Sequence, residues 1–449
     1  MVLTIDRLDH DGAGAADVQT DAGLFRLHVA GALPGERVRA KVAHVSPHVR
    51  EQGKDAWADL EEIVIATPER VAPPCPAHDR CGSCPLGQWS YAAQVEWKRG
   101  LVAEAMATQK DLLVADCVAS PRPFGYRGNA KYVFGHDCES RLVLGAYTPR
   151  SHEIVDMSGC PISEPVLREV AAALLPLLVQ HAVEPFDEVR RTGLLRYVVL
   201  RANAEGKVLV ALVTGHENWP EAEPIARELA AACPAVLGIV HNINNTSGNA
   251  LFGESERLIF GSAFIEDTIG PARVRLGPRS FAQANRLVAG RAYRDIVAAA
   301  ARLGSIDRAV DAYAGAAGIA LSLAPLAREV VAIEENPAAC ATARAFLAEC
   351  APDRNIRIVT GDVADHLAQV GTSDLVVLNP PRKGCSSAVL AVVAQLRPRL
   401  VAYLSCNPTS LARDLTVLAH LGLHTVSITP YDMLPQTPHV EALALLDGT

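Results

Sequence analysis

The sequence predicts an α/β protein made of a small β-barrel, a middle α+β region and a carboxyl-terminal Rossmann-like domain. Three observations predict this organisation. Short apolar runs separated by turns that contain Gly and Pro fill residues 1–65, as in small barrels. Residues 73–85 are rich in Cys and Pro. From about residue 305, apolar segments alternate with Ala-rich segments of helical length, which indicates a parallel sheet covered on both faces.

The first two predicted domains cover residues 1–65 and 66–270. In the first, turn sequences separate the apolar runs Leu24–Ala30 and Arg37–Val45, so we expect a small OB-like barrel. The second domain mixes strand-like and helix-like patterns without an internal repeat. Because it begins with the cysteine-rich loop, we expect an α+β domain that carries a cysteine cluster.

The third predicted domain, residues 271–449, has the clearest pattern. Continuous apolar segments alternate with helical segments such as Pro337–Cys350, which predicts buried strands joined by helices. Seven strands with a closing pair fit a class I methyltransferase layout better than a six-stranded dehydrogenase. The predicted strands are Arg308–Tyr313, Arg328–Glu334, Asn355–Thr360, Ser373–Asn379, Arg399–Cys406, Leu423–Pro430 and Glu441–Leu446.

The composition restricts the class of protein. The 449 residues are 49% hydrophobic, enough for large cores, and carry a net charge of −8. This acidity argues against holding nucleic acid by bulk charge, although a local basic surface remains compatible with it. No apolar run is long enough to cross a bilayer, and the first residues lack the apolar core of a signal peptide. We therefore expect a cytoplasmic monomer without a membrane partner, in which most of the 11 cysteines are reduced.

Cys406 is the first candidate for chemistry. It ends an apolar strand and is followed at once by Asn407-Pro408, a sequence that breaks the strand into a loop. In open α/β sheets, ligands bind just beyond the carboxyl ends of the strands. Glu441 adds a carboxylate at the start of the last predicted strand. Cys406 and Glu441 are thus a candidate nucleophile and base, and the alternative for Cys406 is a small core residue.

A cofactor site is predicted at the same edge of the sheet. The loop Asp311–Gly318 follows the first strand, and its glycines let the backbone approach a ligand closely. Glu334 ends the second strand, where an acid binds ribose hydroxyls. Asp362 follows the third strand, facing an adenine amino group in this interpretation, and Asn379 ends the fourth. The loop lacks G-x-G-x-x-G, so S-adenosylmethionine, which needs no phosphate cradle, fits better than a dinucleotide.

A cysteine cluster is predicted to hold a metal. Cys75, Cys81 and Cys84 lie within ten residues, and such clustering in a reduced protein indicates metal binding rather than disulfides. A fourth ligand is needed, and Cys160 has a similar turn context. Four thiolates suit zinc or an iron–sulfur cluster, and the spacing does not choose between them. The six cysteines outside these sites are not clustered with others and are predicted to be packing residues.

Together these motifs resemble those of the RNA uracil-C5 methyltransferase family, and most closely the bacterial 23S rRNA uridine-C5 methyltransferases with a TRAM domain and an iron–sulfur cluster. The likeness spans nearly the whole chain. Leu33–Glu36 resembles a segment of the TRAM barrel, and Phe281–Asn285 resembles the family's Phe-x-Gln-x-Asn element. The sequences Ser405–Pro408 and His439–Glu441 resemble the family's catalytic sequences.

The resemblance implies a role for each candidate. Cys406 falls on the nucleophile that adds to carbon 6 of uracil, and Glu441 falls on the base that later removes the carbon 5 proton. The implied contacts to S-adenosylmethionine are Gln283, Tyr313, Glu334, Asp362 and Asn379. The implied ligands of a 4Fe–4S cluster are Cys75, Cys81, Cys84 and Cys160.

Two positions depart from the family pattern. Ala317 stands where the family's loop usually has a second glycine, and Asn379 stands in place of the aspartate of Asp-Pro-Pro-Arg. The implied partner is RNA, with rRNA favoured by the barrel and cluster and tRNA as the second candidate.

Two competing interpretations lie outside this activity. The first is a catalytically weak RNA-binding protein that retains the fold, and the second is a zinc-stabilised methyltransferase that acts on a different class of substrate, such as protein. The presence of Cys406 and Glu441 opposes the first interpretation. The Phe-x-Gln-x-Asn sequence and the barrel oppose the second.

Overall fold

The computed structural model contains three large sheets in chain order, joined by helices. The residues that the structure describes are 1–21, 23–50, 53–109, 112–149, 151–248, 250–352 and 355–448. Within these residues, helices that combine the length and apolar character of a membrane span were not found.

The first sheet has six strands, in the order β1-β5-β6-β4-β3-β2. Its strands are β1 (Val2–Thr4), β2 (Arg7–Leu8), β3 (Gly14–Thr20), β4 (Gly23–Val29), β5 (Arg37–Arg50) and β6 (Gly53–Ile65). The sheet has a core of its own, in which Leu27, Val29 and Val38 are buried. The turn at Leu33–Glu36 is fixed by the Glu36 carboxylate, which accepts the Leu33 N–H at 2.9 Å and pairs with Arg70.

The second sheet has seven strands, in the order β13-β12-β11-β10-β7-β8-β9, with helices α3 and α4 packed on it. The elements of this region are α1 (His78–Cys81), α2 (Tyr91–Ala105), β7 (Asn129–His136), β8 (Leu142–Tyr147), β9 (Ile154–Asp156), α3 (Pro165–Gln180), β10 (Leu195–Ala202), β11 (Val208–Thr214), α4 (Ala222–Ala232), β12 (Val236–Ile243) and β13 (Ser255–Gly261). This mixture of strands and helices agrees with the α+β prediction.

The third sheet has seven strands, in the order β18-β17-β16-β19-β20-β22-β21. The elements are β14 (Ile265–Ile269), β15 (Ala272–Leu276), α5 (Arg286–Ala301), β16 (Ile306–Ala312), α6 (Gly318–Leu323), β17 (Ala327–Glu334), α7 (Pro337–Cys350), β18 (Ile356–Thr360), α8 (Val363–His366), a 3₁₀ turn (Leu367–Gln369), β19 (Leu375–Leu378), α9 (Ser387–Gln395), β20 (Leu400–Ser405), α10 (Pro408–His420), β21 (Leu423–Tyr431) and β22 (Glu441–Gly448). Strands β16 to β20 are parallel, and β22 is antiparallel to β20 and β21. The seven predicted strands and the helix Pro337–Cys350 are confirmed.

Three helices of this region begin with an asparagine cap. The side chains of Asn285, Asn336 and Asn407 accept backbone N–H groups in the first turns of α5, α7 and α10. Pro337 and Pro408 occupy the first helical turn, where the missing N–H costs nothing. These caps fix where each helix leaves the carboxyl edge of the sheet.

The prediction that the six remaining cysteines are packing residues is wrong for two of them. Cys138 and Cys350 are exposed. Cys350 is the last residue of α7, and Cys138 lies in the turn after β7. Both positions are at the end of an element, where the apolar spacing that marks buried residues stops, so the exposure of these two thiols had no signal in the sequence.

A buried ion pair joins the second helix to the segment before the last strand. Lys98 in α2 and Asp432 have fully buried side chains and form a salt bridge across 334 residues of sequence. The Lys98 ammonium also donates to the Leu434 carbonyl at 3.0 Å. Because charges are costly to bury alone, each partner depends on its counterpart.

Replacing Lys98 by Met should destabilise the protein by about 3–5 kcal/mol, because Asp432 is left as a buried, unpaired charge. The loss of stability is measured from the change in the denaturation midpoint. The control Arg99→Met removes a half-exposed partner of Glu96 one residue further on, and should cost at most about 0.5 kcal/mol. The double variant Lys98→Met/Asp432→Leu should recover most of the loss, and equal effects of Lys98→Met and Arg99→Met would contradict the assignment.

Candidate functional site

One cavity of about 690 Å³ lies at the carboxyl ends of the parallel strands. Its lining residues include those that directly follow β16, β19 and β20, the last residue of β17, the first residue of β22 and the segment before α5. All seven predicted catalytic and cofactor residues line this cavity: Gln283, Tyr313, Glu334, Asp362, Asn379, Cys406 and Glu441. The fold therefore brings residues that are spread from 283 to 441 in the sequence into one site.

Strand register brings Cys406 and Glu441 together. In the antiparallel pair of β20 and β22, Leu404 lies opposite Leu443 and Ser405 lies opposite Ala442. The next position along each strand is Cys406 on one side and Glu441 on the facing side. The end of one strand and the start of its neighbour therefore carry the thiol and the carboxylate to the same edge of the sheet.

Burial sets the chemistry of both groups. It raises the pKa of the Cys406 thiol, and the nearby Glu441 carboxylate raises it further. Burial also raises the pKa of Glu441 to about 7. The guanidinium of Arg382 opposes both shifts, since its positive charge favours the thiolate and the carboxylate. A carboxyl group with a pKa near 7 is well suited to accept a proton at neutral pH.

Arg382 was not among the predicted site residues. It lines the cavity and interacts with Cys406, and its Nη2 lies 3.2 Å from Nε2 of His439. Its backbone is held by α10, because Asn407 Nδ2 and Ser410 Oγ both donate to the Arg382 carbonyl at 3.1 Å. The sequence signal for it was the arginine of Asn-Pro-Pro-Arg, next to the predicted Asn379.

The loop after β16 is tied to the end of β17. The N–H of Gly315 donates to the Glu334 carboxylate at 2.8 Å, so Glu334 both shapes the loop and lines the cavity. Ala317, in place of the family's second glycine, adopts the left-handed conformation at φ +61° and directly precedes α6. The backbone geometry that a glycine favours is therefore kept by an alanine at some conformational cost.

Asp362 and Gln283, two further cofactor candidates, are held in different ways. Asp362 is exposed and caps α8 by accepting the Ala364 N–H at 2.7 Å. Gln283 lines the cavity two residues before Asn285, which is fully buried and donates to Ser120 Oγ at 3.0 Å. Phe281 also lines the cavity and is 69% exposed. The Phe-x-Gln-x-Asn segment is thus anchored at its asparagine and open at its phenylalanine.

A second, small pocket contains the four predicted metal ligands. Cys75, Cys81, Cys84 and Cys160 all line it, with His78 at its wall. Burial raises the pKa of Cys84 to about 12, and negative charge on the three neighbouring thiols adds to the rise. The four sulfur groups are therefore close neighbours. In the described part of the chain, however, groups of three or more His, Cys, Asp or Glu arranged to hold a single metal ion were not found.

The sheet order and the cavity define the class of protein. The sheet has five parallel strands, and successive strands are added first on one side of β16 and then, from β19, on the other. An antiparallel pair of strands completes the sheet, which is the class I methyltransferase fold. The cavity lies outside the carboxyl ends of the strands at that switch, where such sheets bind their ligands.

Comparisons with known proteins identify the family. Residues 254–448 match the family model described as tRNA (Uracil-5-)-methyltransferase. A Geobacter sulfurreducens protein described as an uncharacterized RNA methyltransferase is 36% identical over 453 residues, covering 99% of this chain and 89% of that protein. A similarly described Halalkalibacterium halodurans protein is 34% identical over 453 residues, covering 99% and 96%. The chain belongs to the RNA uracil-C5 methyltransferase family.

A solved structure shares the whole fold. The crystal structure of Pyrococcus abyssi tRNA (uracil-54, C5)-methyltransferase in complex with S-adenosyl-L-homocysteine superimposes with a TM-score of 0.78. It is 24% identical and covers 99% of this chain and 100% of that chain. The similarity therefore extends over all three sheets.

Replacing Arg382 by Gln should slow alkylation of Cys406 several-fold at pH 8, because the lost positive charge no longer favours the thiolate. The measurement is peptide-resolved mass spectrometry after a timed pulse of iodoacetamide. The control Lys383→Gln removes the same charge from the neighbouring exposed position and should leave the rate nearly unchanged. Equal rates in the wild type and in Arg382→Gln would remove Arg382 from the surroundings of the thiol.

Proposed function

We propose that this protein transfers a methyl group from S-adenosylmethionine to carbon 5 of a specific uridine in RNA, through a covalent bond between Cys406 and carbon 6. The observation that carries the proposal is that Cys406, Glu441 and the five cofactor candidates line one cavity. The membership in the uracil-C5 methyltransferase family supports the same reaction.

The first chemical step uses Cys406. Carbon 5 of uracil is too weak a nucleophile to take a methyl group unaided. Addition of the Cys406 thiolate to carbon 6 moves the ring electrons into an enolate, and carbon 5 then attacks the methyl group of the sulfonium. The C–S bond to the cofactor breaks, and S-adenosylhomocysteine leaves with that electron pair. Arg382 supports this step because its charge favours the thiolate.

The second step uses Glu441. Its carboxylate removes the proton from carbon 5, the C5–C6 double bond forms again, and the sulfur of Cys406 leaves carbon 6. The base acts only after methyl transfer, so addition and elimination are carried out by different groups. With a pKa of about 7, Glu441 accepts this proton and releases it to solvent near neutral pH.

S-adenosylmethionine is proposed to bind along the edge formed by β16, β17 and β19. Glu334 is proposed to bind the ribose hydroxyls, and Asp362 is proposed to bind the adenine amino group. Gln283, Tyr313 and Asn379 complete the wall of the same cavity. The complex with S-adenosylhomocysteine in the Pyrococcus abyssi enzyme supports a nucleoside cofactor in this fold.

The proposed RNA is 23S rRNA, from the resemblance to enzymes with a TRAM domain and a cluster, and the first sheet is proposed to be that TRAM domain. A tRNA uridine is the second candidate, since the Pyrococcus abyssi enzyme of the same fold is a tRNA (uracil-54, C5)-methyltransferase. Arg127 and Arg382 place positive charge in the cavity despite the net charge of −8. Mass mapping of rRNA and tRNA from cells with and without the gene shows which of these two RNAs is the substrate.

The cysteine pocket is proposed to hold a 4Fe–4S cluster. The donor set fits, because four thiols line the pocket and the rest of the wall is mostly apolar, with residues such as Phe124, Met157 and Ile162. Cys81 and Cys160 are buried, which shields a cluster from water. Zinc bound by the four thiolates is the second candidate.

The two catalytic roles predict different defects. Cys406→Ala should abolish methylation and form no covalent RNA adduct, because no enolate forms without addition at carbon 6. Glu441→Gln should complete addition and methyl transfer but stall before elimination, so a denaturant-resistant protein–RNA band should accumulate. The band should carry label from the methyl group of S-adenosylmethionine. Normal turnover by Glu441→Gln, or an adduct with Cys406→Ala, would show that the roles are wrongly assigned.

Replacing Glu334 by Ala should weaken binding of S-adenosylmethionine by about 1.5–3 kcal/mol, the size of hydrogen bonds to a charged group. The measurement is isothermal titration calorimetry without RNA. Glu335→Ala is the matched control, because Glu335 also lines the cavity and its replacement removes the same charge. If both variants bind S-adenosylmethionine with the affinity of the wild type, Glu334 does not bind the ribose.

Protein purified without oxygen should be brown and hold about four irons per chain. Cys81→Ser or Cys160→Ser should lose the iron, whereas Cys138→Ser, at an exposed cysteine outside the pocket, should keep it. Iron and zinc are measured by elemental analysis. Colourless protein with stoichiometric zinc would overturn the cluster in favour of zinc.

A further inference from the structure

The segment between β21 and β22 forms a wall shared by two sites. Met433 and Leu434 line the catalytic cavity, and Gln436 lines the cysteine pocket. Leu434 also packs into the small apolar cluster that contains Cys84 and Cys160. The same segment ends at Glu441, the proposed base. A change at the cysteine pocket can therefore reach the catalytic cavity through a short stretch of chain.

Gln436 is a buried residue of this segment that several hydrogen bonds hold in place. It is 2% exposed and adopts the left-handed conformation at φ +70°, which a side chain other than glycine keeps only when its surroundings impose it. Its N–H donates to Gln94 Oε1, and its Oε1 accepts from Gln94 Nε2, both at 2.9 Å. Its carbonyl accepts the Leu86 N–H at 3.1 Å, directly after the loop with Cys84.

One face of helix α2 holds the first half of the segment. Gln94 and Lys98 are four residues apart, so they point to the same side of the helix. Gln94 holds Gln436, and Lys98 holds Asp432 and the Leu434 carbonyl. The first half of the segment, residues 432–436, is thus fixed against α2, and residues of this half line the cysteine pocket and the catalytic cavity.

We propose that Gln436 is a positioning residue that couples the cysteine pocket to the placement of Glu441. The proposal rests on the proposed function for the role of Glu441, but the coupling itself is a property of the segment. The nucleophile is positioned differently, because Cys406 lies between the end of β20 and Asn407, the cap of α10. Disturbing the cysteine pocket should therefore impair proton removal more than thiol addition and methyl transfer.

The first test needs no catalysis. Amide hydrogen exchange is compared between the protein purified without oxygen and the same protein after its metal is removed by a chelator. Exchange in residues 432–441 should accelerate about tenfold or more on metal removal, while β20 should change little. Equal exchange in residues 432–441 before and after chelation would overturn the proposal, as would an equal acceleration in β20.

The second test uses Gln436→Met, which keeps the size of the side chain and removes its two side-chain hydrogen bonds, from Gln94 Nε2 and to the Pro123 carbonyl. The backbone hydrogen bonds of residue 436 remain available. The control is Gln88→Met, at another buried glutamine beside the same loop, whose amide nitrogen donates to the Pro85 carbonyl. Iron content should be retained in both variants. Residues 432–441 should exchange faster in Gln436→Met, and exchange like that of the control would overturn the coupling.

The same variants separate positioning from a general loss of structure. In a single turnover, Gln436→Met should release S-adenosylhomocysteine within about twofold of the wild-type rate, yet accumulate the covalent RNA adduct because elimination slows. Gln88→Met should turn over like the wild type and accumulate no adduct. Equal slowing of both steps in Gln436→Met would reduce Gln436 to a structural role. If the wild type methylates no RNA, the proposed function fails, and the exchange measurements still decide the coupling.

Discussion

The antiparallel pairing of β20 with β22 is the constraint on which the site depends. It places the residue after one strand opposite the first residue of its neighbour, so Cys406 and Glu441 share an edge. A slip of one residue would turn every side chain of β22 to the opposite face of the sheet. The register is fixed by strands that are buried almost throughout, because alternate residues of β20 and β22 enter different cores. Core packing of the two strands therefore fixes the relative positions of Cys406 and Glu441.

The chemistry of the pair follows from the low exposure of that edge. Burial favours the neutral forms of both the thiol and the carboxyl group, which alone would leave a weak nucleophile. Arg382 counters this by adding one positive charge beside both groups. The backbone of Arg382 is held in place by Asn407 and Ser410, at the start of the helix that follows Cys406. The loop that follows Asn379 and the loop that carries Cys406 thus act as one unit.

The third sheet and most of the cavity could be predicted from the sequence because both depend on local patterns. Buried parallel strands are continuous apolar segments, and polar residues at their carboxyl ends must meet at one edge. The exposure of Cys138 and the role of Gln436 had no such pattern, whereas Arg382 had one in the arginine of Asn-Pro-Pro-Arg. The contacts of Gln436 and Lys98 join residues 342 and 334 positions apart, and one sequence carries no signal for pairs so distant. Only the assembled fold reveals them.

The central claim is that Cys406 adds to carbon 6 and that proton removal from carbon 5 is a separate, later step. A substrate RNA with 5-fluorouridine at the target position tests this in the wild-type protein, because fluorine cannot be removed as a proton. Mass spectrometry of the digested complex should find the peptide with Cys406 joined to a nucleotide that carries both fluorine and a transferred methyl group. Attachment at another residue, or methylation of the natural RNA without any trapped complex from the fluorinated RNA, would contradict the account.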